Sequence, residues 1–569
     1  VAIEALSEPA RRLLQTLSLL QGGADYATLK EFNPHRPPHP EEVEAPCPPE
    51  TSSGLRWMDA DEKETAKIEF GEVKKARGAH VETLKGWEQS PDARAAATRF
   101  DETLTELERQ GLLQYEHSLK RYDLHPVVRG VAAGRLAEKE TSEIGRQVVD
   151  YFSNRPHDPW EQAETLEDVA PGIQVVATLT RMGRFEDAFT ALDGALLAAL
   201  DDNLMAFGEI QRLLRPLFPH GWDGAIALER DLDQCNVLLL LSRTFEFYDS
   251  DDGRVLRLAE RAIRAAISSG FDYSIRNCLR AISRVLGANT KLAEAARIKA
   301  LTLEFAEEAG DAHAIYSSLL SAYWTEIYTG AFERADALWS RLDPKRRSWG
   351  RFYRRGDPES ARAEDLFRRD ELTEATLAEI ERFCREGRNR SDLIQYLGLR
   401  GEWHLSRGEA SLAIAPVSEA LHLCRKSGLD LSEFDAMLAL ARLRAGHPVD
   451  ARSVTERLHE TQSRQTALTV AELWQDLGEP ALAIAAALRA HKAACGSGEP
   501  YVYRYSLDRA DALLRKLGET PPEVPQHDPA NDEVFDWEND VRAVIEKRRK
   551  EREDRKRRAA EREKTNRDE

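Results

Sequence analysis

The 569 residues carry 80 Lys and Arg against 99 Asp and Glu, a net charge of −19, with 42% hydrophobic and 7% aromatic residues. That balance predicts a folded, cytoplasmic chain with ample core material and argues against a protein coated in basic surface for nucleic acid. No window approaches about eighteen consecutive apolar residues and no signal-peptide pattern opens the chain, so neither a membrane partner nor secretion is expected.

In chain order, the segment Leu6 to Leu20 reads as a helix, with Ser7 as cap, Pro9 in the first turn, and Leu13, Leu17 and Leu20 on one face. Leu29 and Phe32 close a compact start. Seven of the sixteen residues from Pro34 to Pro49 are proline, and charge dominates to about residue 90, so about 33–92 is expected to be an inserted loop. Helical periodicity resumes at Ala93 and runs through Phe100, Leu104 and Leu107 to Gly111. Leu112–Tyr115 and Arg121–Leu124 alternate as a small hairpin does, and His125-Pro126 leads into a helix from Val127 to about Ala137. Helix, helix, then helix plus two-stranded wing is the order of a winged-helix module.

From about 145 to Gly518 the pattern repeats. Gly183-Arg184-Phe185-Glu186-Asp187-Ala188 returns at Gly330–Ala335, Gly408–Ala413 and Gly478–Ala483, with a degenerate copy at Gly446–Ala451. Gly270, Gly310, Gly387 and Gly428 form a second class, separated by 40, 77 and 41 residues, which implies a repeat of roughly 40 with one marker lost. A helical hairpin explains this spacing: its turn needs Gly, and its second helix needs a small residue where it crosses the first. The array resembles tetratricopeptide repeats in a slightly long form.

The predicted fold class is therefore mainly all-α: a winged-helix-like module over 1–138, a tetratricopeptide-repeat α-solenoid over 139–518, a Pro-rich linker with a short helix over 519–545, and a charged tail over 546–569. Residues 547–564 hold eleven Lys/Arg and five Asp/Glu, with no aromatic among them. Nucleic acid is a possible but less favoured partner for this tail, against a solvated helix or charge run.

No phosphate-binding GxxxxGK[ST], no HExxH, no GxSxG and no strand-following GxGxxG is present, which predicts a non-catalytic chain without cofactor. Asp249–Gly253 with Glu260 has its glycine one place too early for a calcium loop and reads as an acidic turn. His35, His39 and Cys47 lack a fourth ligand at regular spacing, so no metal is expected. The six scattered cysteines read as free thiols. The candidate partner-binding residues are Tyr316, Tyr323, Trp324, Tyr396, Arg400 and Trp403 on first helices of the repeats. Lys345, Arg346, Arg347 and Trp349 join them in a segment that interleaves cations and aromatic rings.

Three pieces, Leu6–Leu14, Leu107–Leu113 and Tyr122–Arg129, together resemble the winged-helix domain that follows the nucleotide-binding domain in STAND ATPases, where a repeat sensor comes next. The resemblance implies that His125 matches the histidine that reaches the β-phosphate of bound ADP, a nucleotide sensor only where an ATPase domain is present; otherwise it packs under the wing. No such domain lies within these residues, and Val1 fits a processed chain, a fragment or an unusual start codon. The implied function is a sensor that binds a protein ligand on the solenoid, in a STAND-type receptor or its adaptor in bacterial defence or signalling. The alternatives are a STAND-like transcriptional regulator contacting DNA, or a scaffold subunit switched by proteolysis.

Overall fold

The computed structural model describes residues 3–37, 75, 77–246, 253–349, 357–387, 389–429, 431–447, 450–461 and 463–568, with side chains outside the description at 343–349, 357, 387, 555–556 and 559–568. The chain divides into two compact units, Val1–Leu228 and Glu229–Glu569.

In the first unit, α1 (Glu8–Leu19) starts where expected: the Ser7 hydroxyl accepts from the Ala10 N–H, and Pro9 occupies the first turn. Asp25 caps α2 (Tyr26–Glu31) in the same way. The expected loop at about 33–92 is not wholly a loop, since 77–88 form a helix, α3. Its Arg77 is held by Asp150, a tertiary ion pair that no local composition signals. His39 and Cys47 lie outside the described residues. Ser90 caps α4 (Pro91–Arg109), and β1 (Leu113–Glu116) pairs antiparallel with β2 (Arg121–Leu124), Leu113 facing Leu124. The helix α5 (Pro126–Ala133) stops short of the expected Ala137, at Gly134, and α6 (Glu138–Asn154) follows. Leu13, Leu17, Leu29, Phe100, Leu107 and Val148 are among the side chains of one core that ties these elements together. Then come α7 (Ala170–Arg181), α8 (Phe185–Leu192), α9 (Ala195–Ala198) and α10 (Phe207–Leu214).

The second unit is an array of helical hairpins. They are α11 (Asp231–Glu246) with α12 (Arg254–Ser269), α13 (Asp272–Ala288) with α14 (Leu292–Ala309), α15 (Ala312–Thr329) with α16 (Phe332–Trp349), and α17 (Asp357–Arg368) with α18 (Glu374–Gly387). The series continues with α19 (Arg390–Ser406) and α20 (Ala410–Lys426), α21 (Ser432–Arg444) and α22 (Ala451–Arg457), and α23 (Arg464–Asp476) and α24 (Pro480–Ala494). Last come α25 (Arg504–Lys516) and α26 (Trp537–Asp568). Glycines 330, 408, 446 and 478 each close the first helix of a hairpin at positive φ, as the sequence markers require. The acidic turn expected at Asp249–Asp252 and the position of the lost marker near 350 lie outside the described residues.

First helices pack on first helices. In order, α15, α17, α19, α21, α23 and α25 each contact the next, and α25 returns to α15, so six helices close a ring. The closing contact is tight: a Cβ on Gly330, at the end of α15, would lie 2.9 Å from Cγ of Arg504, at the start of α25. Leu292, Ala494, Val502, Tyr503 and Leu507 form a small core beside this contact.

The C-terminal segment departs from its expected form as a linker, short helix and solvated tail. Its helix is continuous from Trp537, and Trp537, Val541 and Ile545 are buried where α26 lies on α12 and α14. Arg264 on α12 grips Asp536 through two bonds of 3.0 and 2.7 Å. Arg548, Arg549 and Arg552 pair with Asp272, Glu304 and Glu308 at 3.0, 3.2 and 3.0 Å. The apolar turn and a matching acidic surface dock the start of the basic run, a long-range complementarity that the local charge pattern does not reveal.

Candidate functional site

The inner face of the ring is a network of side chains contributed by every one of its helices. Glu364 and Arg368 come from α17, Glu402 from α19, Glu433 from α21, Arg464 and Glu472 from α23, and Tyr505 and Arg509 from α25. Arg509 bridges Glu402 and Glu472, the latter at 2.6 Å, while Arg368 pairs with Glu364. The guanidinium of Arg464 stands 3.8 Å over the Tyr503 ring, and that of Arg368 lies about equally far from Tyr328 and Tyr505, at 5.1 and 5.0 Å. Burial raises the Glu402 carboxyl above its ordinary value despite Arg509, and burial with the nearby Glu402 raises Glu433 despite Arg464. Burial likewise pushes the Tyr328 hydroxyl up to about 12. Arg509 thus ties α25 to α19 and α23 across the ring.

Several expected partner-binding residues therefore need correction. Tyr316, Tyr323 and Tyr396 are 1%, 0% and 1% exposed, so they are packing residues rather than surface residues. The Tyr323 hydroxyl donates to Asp365 at 2.7 Å. Trp324 is half-buried and stacks on Tyr328, with centroids 5.6 Å apart. The segment holding Lys345, Arg346, Arg347 and Trp349 is helical, as the end of α16, but those side chains lie outside the described residues.

Two expected residues do line an open surface, on the side of α19 away from the ring. A groove of about 660 Å³ runs across α18, α19 and α20, and Arg400 and Trp403 are part of its wall. Arg400 reaches Glu374 and Glu381, both at 2.5 Å. Arg385 reaches Glu381 and Glu419 at 2.9 and 2.8 Å, and His404 meets Glu409 at 2.9 Å. Here two carboxylates, Glu381 and Glu409, are shifted the other way. The hydrogen bond with His404, aided by Arg407, holds Glu409 low; burial pushes Glu381 up, but Arg385, Tyr396 and Arg400 together bring it below its ordinary value. Leu412, 58% exposed, lines the same groove. Pro416, inside α20, has no N–H to give to the Leu412 carbonyl.

His125, on the first unit, is exposed and caps α5, its Nδ1 accepting from the Val127 N–H at 3.3 Å. It is not packed under the wing.

Two cysteine clusters escaped sequence reasoning because their members meet only in the fold. Cys235 and Cys278 place their sulfurs 3.5 Å apart in the core. Cys495 Sγ lies 3.7 Å from His491 Nδ1, whose Nε2 is 3.3 Å from Asp511. Burial, with the charges of Asp511 and Glu499, raises the Cys495 thiol, so this trio holds its sulfur protonated rather than activating it. Among the described residues, no group of three or more His, Cys, Asp and Glu is placed to hold a metal, and no helix is long and apolar enough to cross a membrane.

No protein-family model matches the chain, and no curated protein matches it by sequence. Solved structures with some similarity include the apo form of RapI, at TM-score 0.24 and 12% identity over 56% of this chain and 96% of that one. Another is a Pyrococcus horikoshii Signal Transduction ATPase with Numerous Domains protein with a tetratricopeptide repeat sensor, at TM-score 0.25 and 11% identity over 90% of this chain; this chain spans 65% of that one. At such scores the likenesses carry no inference, and the helical-hairpin architecture stands on the geometry above.

Proposed function

We propose that the chain is a protein-recognition module, the sensor part of a STAND-type receptor or of its adaptor in defence or signalling, and that it acts without chemistry of its own. One observation carries the recognition role. The groove over α18, α19 and α20 is open and combines an exposed leucine with polar walls, whereas on the inner face Arg509 is tied to Glu402 and Glu472 from two other helices. Stacked hairpins hold such a surface rigid, because each repeat is braced by its neighbours. The receptor assignment is supported by the resemblance of Leu6–Leu14, Leu107–Leu113 and Tyr122–Arg129 to the STAND winged helix, and by the three helices and two-stranded hairpin that those segments form.

The test is capture of partners by the full chain from its native host at physiological salt, with and without nuclease, comparing wild type with Leu412→Asp. The proposal expects one stoichiometric protein that survives nuclease and is lost from the variant. Recovery that vanishes with nuclease contradicts it and makes nucleic acid the partner.

A further inference from the structure

We propose that the groove over α18, α19 and α20 binds a partner segment that is helical and amphipathic, with a leucine-like side chain flanked by lysine or arginine. This rests on the recognition role above and names the chemistry of the partner.

The argument starts from what the groove has left to offer. Glu374, Glu381, Glu409 and Glu419 ring it. The arginines of the lining are Arg400, held by Glu374 and Glu381, and Arg407, which is 52% exposed and meets Glu409 through its Nε at 3.3 Å; Arg385, beside the groove, is held by Glu381 and Glu419. A carboxylate accepts up to about four hydrogen bonds, so each keeps acceptor capacity after meeting one or two arginine nitrogens. Glu374 is 56% exposed and Glu419 39%, so both present that capacity to solvent.

Pro416 adds a further acceptor. By lacking an N–H it leaves the carbonyl of Leu412 without its usual donor four residues on, and both residues line the groove. Carboxylates outnumber arginines four to two along the lining, so the surplus is of acceptors and its complement is a donor-rich cation. Acidic segments meet repulsion at four carboxylates and find only the outer nitrogens of Arg407 to pair with.

The apolar component sets the rest. Leu412 projects beside Ala415 and Pro416, a footprint for one or two aliphatic side chains rather than for an extended apolar strip. A helix that offers aliphatic residues at i and i+3 or i+4, with cations on both flanks, places one on Leu412 and the others over Glu374 and Glu419.

The experiment uses the full chain and a short fluorescein-labelled helical peptide with leucine at i, i+3 and i+4 and lysine elsewhere, beside counterparts with glutamate or glutamine in place of lysine. Anisotropy titrations at physiological salt are run on wild type, Leu412→Asp, the Glu374→Gln/Glu419→Gln pair, and Glu460→Gln as a carboxylate control outside the groove. The expected result is binding of the lysine peptide, about tenfold weakening by either groove change, no change in the control, and at least tenfold weaker binding of the glutamate peptide.

Because Leu412, Glu374 and Glu419 are exposed, the variants are expected to fold, and unchanged melting temperatures confirm it. Equal or tighter binding of the glutamate peptide overturns the proposal, as does lysine-peptide binding that ignores the groove changes, or no binding at all. Failure here with partner capture still lost in Leu412→Asp removes only the basic-segment assignment. Capture indifferent to Leu412→Asp removes the groove itself.

Discussion

Arg400 and Glu402 stand two residues apart on α19 and serve opposite faces of the same hairpin array. Glu402 turns into the ring, where burial raises its carboxyl and Arg509 and Arg368 oppose that rise. Arg400 turns to the groove, where with Arg385 and Tyr396 it brings Glu381 below its ordinary value. The two faces hold similar residue types, and the difference lies in solvent. Inside, charges from different helices must neutralise each other to offset desolvation, which makes the network a lock on ring closure. Outside, water and neighbouring cations keep the carboxylates ionised and able to accept a further donor. A charged surface is thus a binding surface only where its partners are not already supplied by the fold.

The sharpest break of this contrast is Arg509→Met. It takes the guanidinium from Glu402 and leaves Glu472 with Arg444 at 3.0 Å; because Arg509 is itself 30% exposed, the destabilisation expected is up to about 3 kcal/mol. Arg407→Met on the outer face, where the side chain is 52% exposed, is expected to change stability by less than about 0.5 kcal/mol. Denaturant midpoints of the two full-length variants decide this; equal shifts deny the inner network its locking role.

Next in size is Gly398→Ala. Its new Cβ would lie 2.7 Å from Cε1 of Phe434, where α19 meets α21, and overpacking of this kind costs about 2 kcal/mol. Unchanged thermal stability would show that the inner helices pack less closely than described.

The smallest effect is a pH dependence with opposite signs on the two faces. A carboxyl raised in the folded state, as Glu433 is, contributes stability below its unfolded value near 4.5 and loses it as pH rises through the folded value. Glu433→Gln is therefore expected to melt higher than wild type at pH 7 and to show no such gain at pH 4. Glu409, held low by His404 and Arg407, contributes above its unfolded value and loses that contribution as pH falls, so Glu409→Gln melts lower at pH 7. Melting curves at both pH values check the signs, and a shared sign for the two variants contradicts the contrast.

Much of the architecture was legible because it is local. Gly330, Gly408 and Gly478 mark helix ends through a backbone requirement that needs no knowledge of neighbours, and Ser7 with Pro9 announces α1. Ring closure was not legible. It depends on Tyr503, Arg504 and Arg509 meeting residues of α15, α19 and α23, and no spacing records such long-range contacts. The same limit explains the site. Tyr and Trp at helical spacing are compatible with either face, so Tyr316, Tyr323 and Tyr396 were expected on a surface and lie in the core. Arg400 and Trp403 reach a groove on the side of α19 away from the ring. Leu412 and Pro416 carried a usable signal that went unread, an exposed-face leucine four residues before a mid-helix proline. In the tail, the run of Trp537, Val541 and Ile545 gave the apolar face, but its acidic and basic docking partners lie more than two hundred residues away in sequence.

The central claim is that recognition belongs to the outer groove and not to the inner ring. Hydrogen exchange of the full chain, followed by mass spectrometry with and without the captured partner protein, tests it most directly. The account predicts new protection in α18 and α20 and in the groove-facing turns of α19, with α23 and α25 unchanged. Protection that instead appears along α23 and α25 while the groove stays unaffected would contradict it, because the partner would then have entered the ring.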